Sequence, residues 1–326
     1  MFKNVTIKDI ALLVGVSTAT VSYYLNGNYK KMSVKTREKI AQAIATTGYQ
    51  PSQIARSLVT KDTQTIGVVI ADITNPFISS VMKGIHDTCK QFGYSVNFTN
   101  SDNDVQLELE NLNRLSQQNV SGIILDSVDA NHQIVHLLDR DKVVMVDRQS
   151  KTLEIDTVVA DNYQSTRSFL RLMKQKGYKR IYFVSFPIEG ISTREIRYQA
   201  FCDEVSDDVN RLIILGQDNV RQLVDHIIET SHEKVAFFTM NGPSLLTFMK
   251  LMHQSKYHYP TDYGLGSYED LEWMEVLNPN VSCIQQDSYR IGQLAAQTLL
   301  DKLSADTKQA PQLLEVKSHI IERHSF

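Results

Sequence analysis

The chain has 326 residues, of which 42% are hydrophobic, 22% charged and 8% aromatic. This composition is typical of a folded globular protein of about two domains, and it excludes disordered, collagen-like and coiled-coil chains. No apolar stretch approaches the roughly 18 residues that a membrane span needs, so no membrane partner is expected.

The formal net charge of −3 is unevenly distributed. Residues 1–61 contain nine Lys and Arg against Asp9 and Glu38, a formal charge of +7, whereas the remainder of the chain carries −10. A basic segment on an acidic body is typical of a protein that binds a polyanion such as nucleic acid. A solvated basic surface without a partner is the alternative interpretation of charge alone.

The N-terminal run MFKNVTIKDIALLVG does not have the pattern of a secretory signal, which favours a cytoplasmic protein. The three cysteines, Cys89, Cys202 and Cys283, are few and far apart. They therefore predict neither a disulfide framework nor a Cys-x-x-Cys metal site.

Capping residues predict three short helices in the basic segment, which follow Thr6, Ser17 and Ser33. Apolar spacing places the first helix over about residues 7–13 and the third over 34–46. The first two helices are joined by a Gly-containing turn, and this arrangement is a helix-turn-helix.

The second predicted helix is polar and rich in hydroxyl groups. Hydroxyls and helix N-termini bind phosphates, and side chains at the start of such a helix reach base edges in the major groove. The hydroxyl-bearing candidates are Ser17, Thr18, Thr20, Ser22 and Tyr23.

A marginal helix is predicted after Pro51, in the segment SQIARSLVTK. Ser52 can cap it, and Ile54, Ala55 and Leu58 form a short apolar stripe. Since so short a helix is unstable alone in water, we expect it to fold when two copies meet on a surface.

The runs VTIKDIALLVGVSTATVSYYLNG, KTREKI, GYQPSQIARSL and TIGVVIADITNPF resemble the LacI/GalR family of bacterial transcription regulators. The resemblance extends over essentially the whole chain. It implies a homodimer whose second helices enter successive major grooves of a palindromic operator DNA, while paired hinge helices enter the minor groove between them.

The resemblance also implies roles for single residues. Thr18, Ala19 and Tyr23 match base-contacting positions, and Thr20 and Ser22 match phosphate-contacting positions. Leu58 matches the wedge that unstacks a base step in the minor groove, and Ala55 the small residue where the hinge helices meet. The candidate DNA-binding residues are therefore Thr6, Ser17, Thr18, Ala19, Thr20, Ser22, Tyr23, Asn26, Ala55 and Leu58.

From residue 64 onward, short β-rich runs alternate with helical stretches, which predicts parallel sheets of the doubly wound type. Nine strands are more than one such sheet usually holds, so we expect two lobes with a ligand at the carboxyl ends of their strands. The predicted strands are TIGVVIA, YSVNF, GIILD, KVVMVD, DTVVA, RIYFVS, RLIIL, KVAFFT and DYGLGS.

The resemblance implies the same architecture. A small all-α helix-turn-helix domain over residues 1–50 and a hinge over 51–61 are followed by a two-lobed α/β domain over 62–326. This last domain is periplasmic-binding-protein-like, with parallel doubly wound sheets, and it binds the effector and forms the dimer.

Polar side chains follow the predicted strands. Carboxylates and guanidinium groups, beside an aromatic ring for stacking, suit a sugar, a sugar acid or a nucleoside. A helix cap or a surface charge is the alternative for any one of them. The candidate effector-binding residues, which match family positions in order, are Asp72, Asn75, Phe77, Asp126, Asp147, Arg148, Arg197, Asn241, Glu269 and Gln286.

Three positions depart from the family pattern. Many members have Arg at the position of Tyr23, and a Tyr does not form the two parallel hydrogen bonds with which Arg binds guanine. Gly242 stands where the family usually has Asp, and Glu269 where it often has Asp. The pair Arg148 and Arg197 favours an anionic effector, although many members keep both for neutral sugars.

Two other classes of protein share a ligand-binding cleft. A solute-binding transport protein is disfavoured by the basic segment and the missing signal pattern, and a sugar-processing enzyme by the lack of a G-x-S-x-G elbow, a GxGxxG run and a P-loop. Asp207 and Asp208 are typical of a turn, and His132 and His136 of a solvated helix face without a third metal ligand.

We therefore expect a repressor of carbohydrate-utilisation genes that is not an enzyme and needs no cofactor or metal. The operator sequence, the effector and the direction of its effect stay open, as does a protein corepressor.

Overall fold

The computed structural model describes residues 5–49, 63–132, 135, 138–205, 208–305, 307 and 309–326. The chain divides into two compact units, Met1–Gln64 and Thr65–Phe326. Among the described residues, no helix is long and apolar enough to cross a membrane.

The first unit is helical, as predicted. Its helices are α1 (Ile7–Val14), α2 (Thr18–Leu25) and α3 (Val34–Thr47), with one 3₁₀ turn at Tyr29–Lys31. Each helix begins at the predicted cap: the Thr6 side chain accepts from the Asp9 amide, the Ser17 side chain from the Thr20 amide and the Ser33 side chain from the Thr36 amide. The buried core of this unit consists of Ile10, Ala11, Val21, Ile40, Ala43 and Tyr49.

The second unit contains two six-stranded sheets. The first lobe holds β1 (Thr65–Ile70), β2 (Ser95–Asn100), β3 (Gly122–Leu125), β4 (Val143–Val146), β5 (Thr157–Ala160) and β11 (Leu313–Val316). Its sheet is parallel, in the order β11-β5-β4-β3-β1-β2. The helices of this lobe are α4 (Pro76–Gln91), α5 (Val105–Gln117) and α10 (Ser288–Ser304).

The second lobe holds β6 (Arg180–Ser185), β7 (Leu212–Ile214), β8 (Val235–Thr239), β9 (Gly264–Tyr268), β10 (Ser282–Gln285) and β12 (His319–Ile321). Its sheet order is β12-β10-β9-β8-β6-β7. The helices are α6 (Asn162–Gln175), α7 (Ser192–Glu204), α8 (Val220–Thr230) and α9 (Gly242–Met252). The chain passes between the lobes after β5, after β10 and after β11.

The nine predicted strands are all present, but the prediction lacked three further strands and one antiparallel pairing. The structure adds β10, β11 and β12 at the end of the chain, and β12 pairs with β10 in the antiparallel direction. The predicted parallel direction holds for the other pairings of both sheets, and the exception lies at this edge, where the chain passes from β11 in the first sheet to β12 in the second within two residues.

Helices α4 and α10 pack closely across the first lobe because glycines lie where they cross. A Cβ atom at Gly292 would overlap the carbonyl oxygen of Val81, and one at Gly84 would overlap that of Tyr289. The contact buries Val81, Ile85 and Ile291 in the core of the lobe. This packing fixes the position of the N-terminus of α4, which faces the site described next.

Candidate functional site

The start of α2 is presented to solvent. Ser17, Thr18 and Ala19 are exposed, whereas Val21 packs into the core of the helical unit. The Ser17 and Thr20 hydroxyl oxygens lie 2.9 Å apart, so these two side chains stabilise the first turn. The exposed N-terminal turn is the part of a helix that binds phosphates and reaches base edges.

Tyr23 lies beside a cation that the sequence analysis did not single out. The Lys31 ammonium is 4.5 Å from the centroid of the Tyr23 ring. Tyr23 and Ser22 are half-buried, and the Asn26 side chain donates to the Ser22 hydroxyl at 3.4 Å. Lys31 from the 3₁₀ turn therefore lies next to the predicted contact residues of α2.

Of the three remaining DNA-binding candidates, the structure describes only Thr6. Thr6 belongs to the cap of α1, since its hydroxyl donates to the Asp9 carboxylate at 2.7 Å. Ala55 and Leu58 lie outside the described residues, and their roles stay predictions.

An interlobe cleft lies at the carboxyl ends of the strands of both lobes. It contains a cavity of about 330 Å³ and a smaller one of about 40 Å³. Four residues line both cavities: Asn75 and Arg148 from the first lobe, and Arg194 and Asn241 from the second. Of the other predicted residues, Asp72 lines the larger cavity, and Phe77, Asp147, Arg197 and Glu269 line the smaller one.

Arg148 is held by the loops that follow β2 and β3. Its guanidinium donates to the carbonyl oxygens of Ser127 at 3.2 Å and Val128 at 2.8 Å, and to Asn103 Oδ1 at 3.2 Å. Asp126 Oδ1 lies 3.6 Å from Arg148 Nε. Asp126 lines neither cavity, and the structure places it behind Arg148.

Arg197 is buried in the second lobe. Its guanidinium carbon lies 3.5 Å from the centroid of the Tyr268 ring, and Nε donates to Asn162 Oδ1 at 2.9 Å. It also donates to the Met240 carbonyl oxygen at 3.0 Å and to Gln286 Oε1 at 3.3 Å. Gln286 lines neither cavity and contacts Arg197 instead.

Two carboxylates in the cleft have unusual environments. Burial raises the pKa of Asp147, against the opposing charges of Arg197 and Arg148. Burial raises the pKa of Glu269 to about 7, although Arg197 and the Gly242 amide oppose the shift. Both residues adopt positive φ, 66° for Asp147 and 84° for Glu269. Non-glycine residues in this region are strained and often belong to binding sites.

The polar residues at the helix starts have two roles. Asn75 caps α4 by accepting from the Phe77 amide at 3.2 Å, and Asn241 caps α9 by accepting from the Ser244 amide at 2.9 Å. Asp72 accepts from Thr74 and Asn103, and these bonds with the charge of Arg148 outweigh burial and lower its pKa. Asn75 and Asn241 therefore cap helices, as the alternative interpretation has it, and they also line the cavities.

Several wall residues were missed from the sequence, and three of them bear an aromatic ring or a charge. Phe186 follows β6, Arg194 lies on α7, and Trp273 lies in a 3₁₀ turn at Glu272–Met274. Arg194 stands three residues before Arg197, and this spacing puts both side chains on one face of a helix. The spacing could therefore have identified Arg194 as a cleft residue from the sequence. Trp273 is the only tryptophan of the chain.

In the part of the chain that the structure describes, no group of three or more His, Cys, Asp or Glu side chains could hold a metal ion. His136 and Asp207 lie outside the described residues. Cys89 and Cys283 are buried in the cores of their lobes, and Cys202 is half-buried.

Models of three protein families match the chain. Residues 6–52 match the model of bacterial regulatory proteins of the lacI family. Residues 63–243 match that of periplasmic binding proteins and the sugar binding domain of the LacI family, and residues 170–326 match a periplasmic binding protein-like domain.

Curated relatives share the full length of the chain. The HTH-type transcriptional regulator KdgR of Bacillus subtilis is 32% identical over 99% of this chain and 98% of its own. The HTH-type transcriptional regulator PtxS of Pseudomonas putida is 32% identical over 99% of this chain and 96% of its own. These relatives are transcriptional regulators rather than enzymes.

Solved structures share the fold. The lac repressor bound to ONPG in its repressed state has a TM-score of 0.83 at 21% identity, covering 99% of this chain and 100% of that one. The CelR–cellobiose complex has a TM-score of 0.70 at 21% identity, with the same coverage of both chains. From the family models and the full-length relatives, the chain belongs to the LacI family of bacterial regulatory proteins and is a DNA-binding transcriptional regulator.

Proposed function

We propose that this regulator is a cytoplasmic homodimeric repressor of carbohydrate-utilisation genes, and that a small sugar or sugar-acid effector controls its binding to a palindromic operator. Residues 1–50 bind DNA, residues 51–61 form the hinge, and residues 62–326 bind the effector and the second protomer. The relatives favour neither a transport protein nor an enzyme.

The exposed start of α2 supports the operator role. Ser17, Thr18 and Ala19 are accessible on a segment that carries a formal charge of +7 over residues 1–61. Phosphate contacts supply most of the affinity of such proteins for DNA, and a few side chains at base edges supply specificity. The lac repressor, which shares the fold, was solved as a dimer bound to operator.

The interlobe cleft carries the effector proposal. Guanidinium groups, carboxylates and aromatic rings converge there from both lobes, around a cavity of about 330 Å³. This size and this mixture of polar and aromatic groups suit a sugar-sized ligand. CelR, which has the same fold, was solved with cellobiose.

Linkage connects the two activities. A ligand that contacts both lobes favours one arrangement of the lobes over the other. If that arrangement also favours or disfavours operator binding, the effector and the DNA change each other's affinity by the same factor.

Sequencing of genomic fragments bound by the purified protein tests the operator role. We expect the enriched fragments to share a palindrome, and Thr18→Ala to weaken binding to it by about 1 kcal/mol, the value of one neutral hydrogen bond, with little change on random DNA. Thr46→Ala, an exposed threonine on α3, is the matched control. Enrichment without a palindrome, or equal losses on both kinds of DNA, would contradict the proposal.

A further inference from the structure

Arg194 is placed to contact a ligand in the interlobe cleft. It lies on α7, one helical turn before Arg197, and it lines both cavities. Its guanidinium donates to the Pro187 carbonyl oxygen at 2.6 Å and lies 6.0 Å from the Phe186 ring centroid. A guanidinium has five N–H donors, so most of its capacity is available to a ligand.

The other two arginines of the cleft are already held by protein groups. Arg148 donates to two carbonyl oxygens and to Asn103, and it faces Asp126 at 3.6 Å. Arg197 donates to Asn162, Met240 and Gln286 and stacks on Tyr268. By contrast, none of the ion pairs formed among the described residues includes Arg194.

The charges that shift the pKa of Arg194 are positive. Burial, together with the charges of Arg148 and Arg197, lowers the pKa of Arg194 to about 10. The carboxylates nearby face other groups: Asp72 accepts from Thr74 and Asn103, and Glu269 accepts from the Gly242 amide at 2.9 Å. Asp147 lies near the charges of Arg197 and Arg148, which oppose the rise of its pKa on burial. Arg194 is half-buried and forms no ion pair among the described residues, so an anionic ligand group would offset the partial loss of its hydration.

The rest of the wall suits a polyhydroxylated ring. Asn103 and Asn241 offer amide groups to hydroxyls, and Phe186 and Trp273 offer aromatic faces. Helices α4 and α9 both begin at the cavity wall, at Asn75 and Asn241, and helix N-termini favour negative charge.

We infer that the effector is a sugar acid with one carboxylate, and that Arg194 is the residue that binds this carboxylate. The inference rests on the proposed role of the cleft as the effector site. A single guanidinium without a counter-ion matches one negative charge. A phosphate dianion would need a second such cation, and Arg148 and Arg197 are already held by protein groups.

Trp273 provides the readout, since no other tryptophan contributes to the fluorescence of the chain. The full-length protein is titrated with four pairs of an acid and its neutral counterpart: D-glucuronate and D-glucose, D-galacturonate and D-galactose, D-gluconate and D-glucitol, and D-galactonate and D-galactitol. D-Glucose 6-phosphate is the phosphate probe, and calorimetry repeats each titration.

We expect at least one acid to bind more tightly than its neutral counterpart and than the phosphate. Arg194→Gln should weaken the binding of that acid about 10- to 100-fold, which is the effect of losing one charged hydrogen-bond partner. The affinity for the neutral counterpart should stay within about twofold of the wild-type value. Arg114→Gln, an exposed arginine on α5, is the matched control and should change neither affinity.

The outcomes separate this inference from the proposed function. Tighter binding of a neutral sugar or of the phosphate, or an acid affinity that Arg194→Gln does not change, overturns the inference and leaves the effector cleft standing. If none of the nine probes binds while the protein still binds its DNA, the inference is overturned, whereas the proposed operator role stands.

Discussion

Gly242 and Glu269, the two positions of the cleft that depart from the family pattern, contact each other. The Gly242 amide donates to Glu269 Oε2 at 2.9 Å, and a Cβ atom at position 242 would lie 2.8 Å from the same oxygen. A side chain at position 242 would therefore crowd the longer carboxylate at position 269. The two departures belong together, and they place the Glu269 carboxylate at the N-terminus of α9, where partial positive charge stabilises it.

Glu269 should make the stability of the second unit depend on pH. Its pKa rises from 4.5 to about 7 in the fold, so its contribution is fully present below pH 4.5 and is lost as the pH rises through 7. We expect Glu269→Gln, measured by urea unfolding, to match the wild type near pH 4.5 and to exceed it by about 3 kcal/mol at pH 8.

The exposed Glu189 supplies the control for this measurement, because Glu189→Gln should leave the stability unchanged at both pH values. A variant at position 269 that is less stable than the wild type at pH 8 would contradict the assigned shift. It would mean that the ionised Glu269 stabilises α9 by more than its burial costs.

Much of the cleft could be predicted from sequence because polar residues that follow parallel strands meet at one edge of a sheet. Eight of the ten predicted effector residues line the two cavities, and their roles stay predictions. Asp126 and Gln286 follow strands equally well, yet they lie behind the arginines that they contact. Depth below a cavity wall depends on side-chain packing, which strand position does not encode.

Among the elements, the pair α4 and α10 fixes the geometry of the first lobe. Gly84 and Gly292 let the two backbones approach until each faces a carbonyl oxygen of the other helix. A helical glycine normally costs stability relative to alanine. Their presence at the crossing therefore indicates that the close packing of the two helices contributes more to stability than the glycines cost in helix propensity.

Gly292→Ala should lower the melting temperature, because its new methyl group would overlap the Val81 carbonyl oxygen and force the helices apart. Overpacking of this kind costs about 1–3 kcal/mol. Gln91→Ala, at an exposed position at the end of α4, is the control and should be near neutral. An unchanged or raised melting temperature for Gly292→Ala would show that the helices separate without cost.

Strong local signals allowed most elements of the fold to be predicted. Caps placed α1, α2 and α3, and buried apolar runs placed β1 to β9. The strands β11 and β12 were missed because they are short and partly exposed edge strands, so they show neither a long apolar run nor strict alternation. β10 was missed because Ser282 and Gln285 interrupt its apolar run.

At the scale of the whole molecule, the three passages of the chain between the lobes are the elements that lobe movement must bend. Movement about a few connecting segments is the usual response of two-lobed proteins to a ligand between their lobes. If a ligand in the cleft changes operator binding, as proposed, linkage requires that operator DNA change the affinity for that ligand by the same factor. We therefore expect ligand binding in the cleft and operator binding to be coupled.

The most direct test measures the affinity of the protein for the enriched palindromic fragment by fluorescence anisotropy at one fixed salt concentration. The measurement is made with and without a saturating concentration of a sugar acid that shifts Trp273 fluorescence. We expect a change in DNA affinity of about 5- to 150-fold, and a change by the same factor in the affinity for the sugar acid when DNA is present. Equal DNA affinity with and without the bound sugar acid would contradict it.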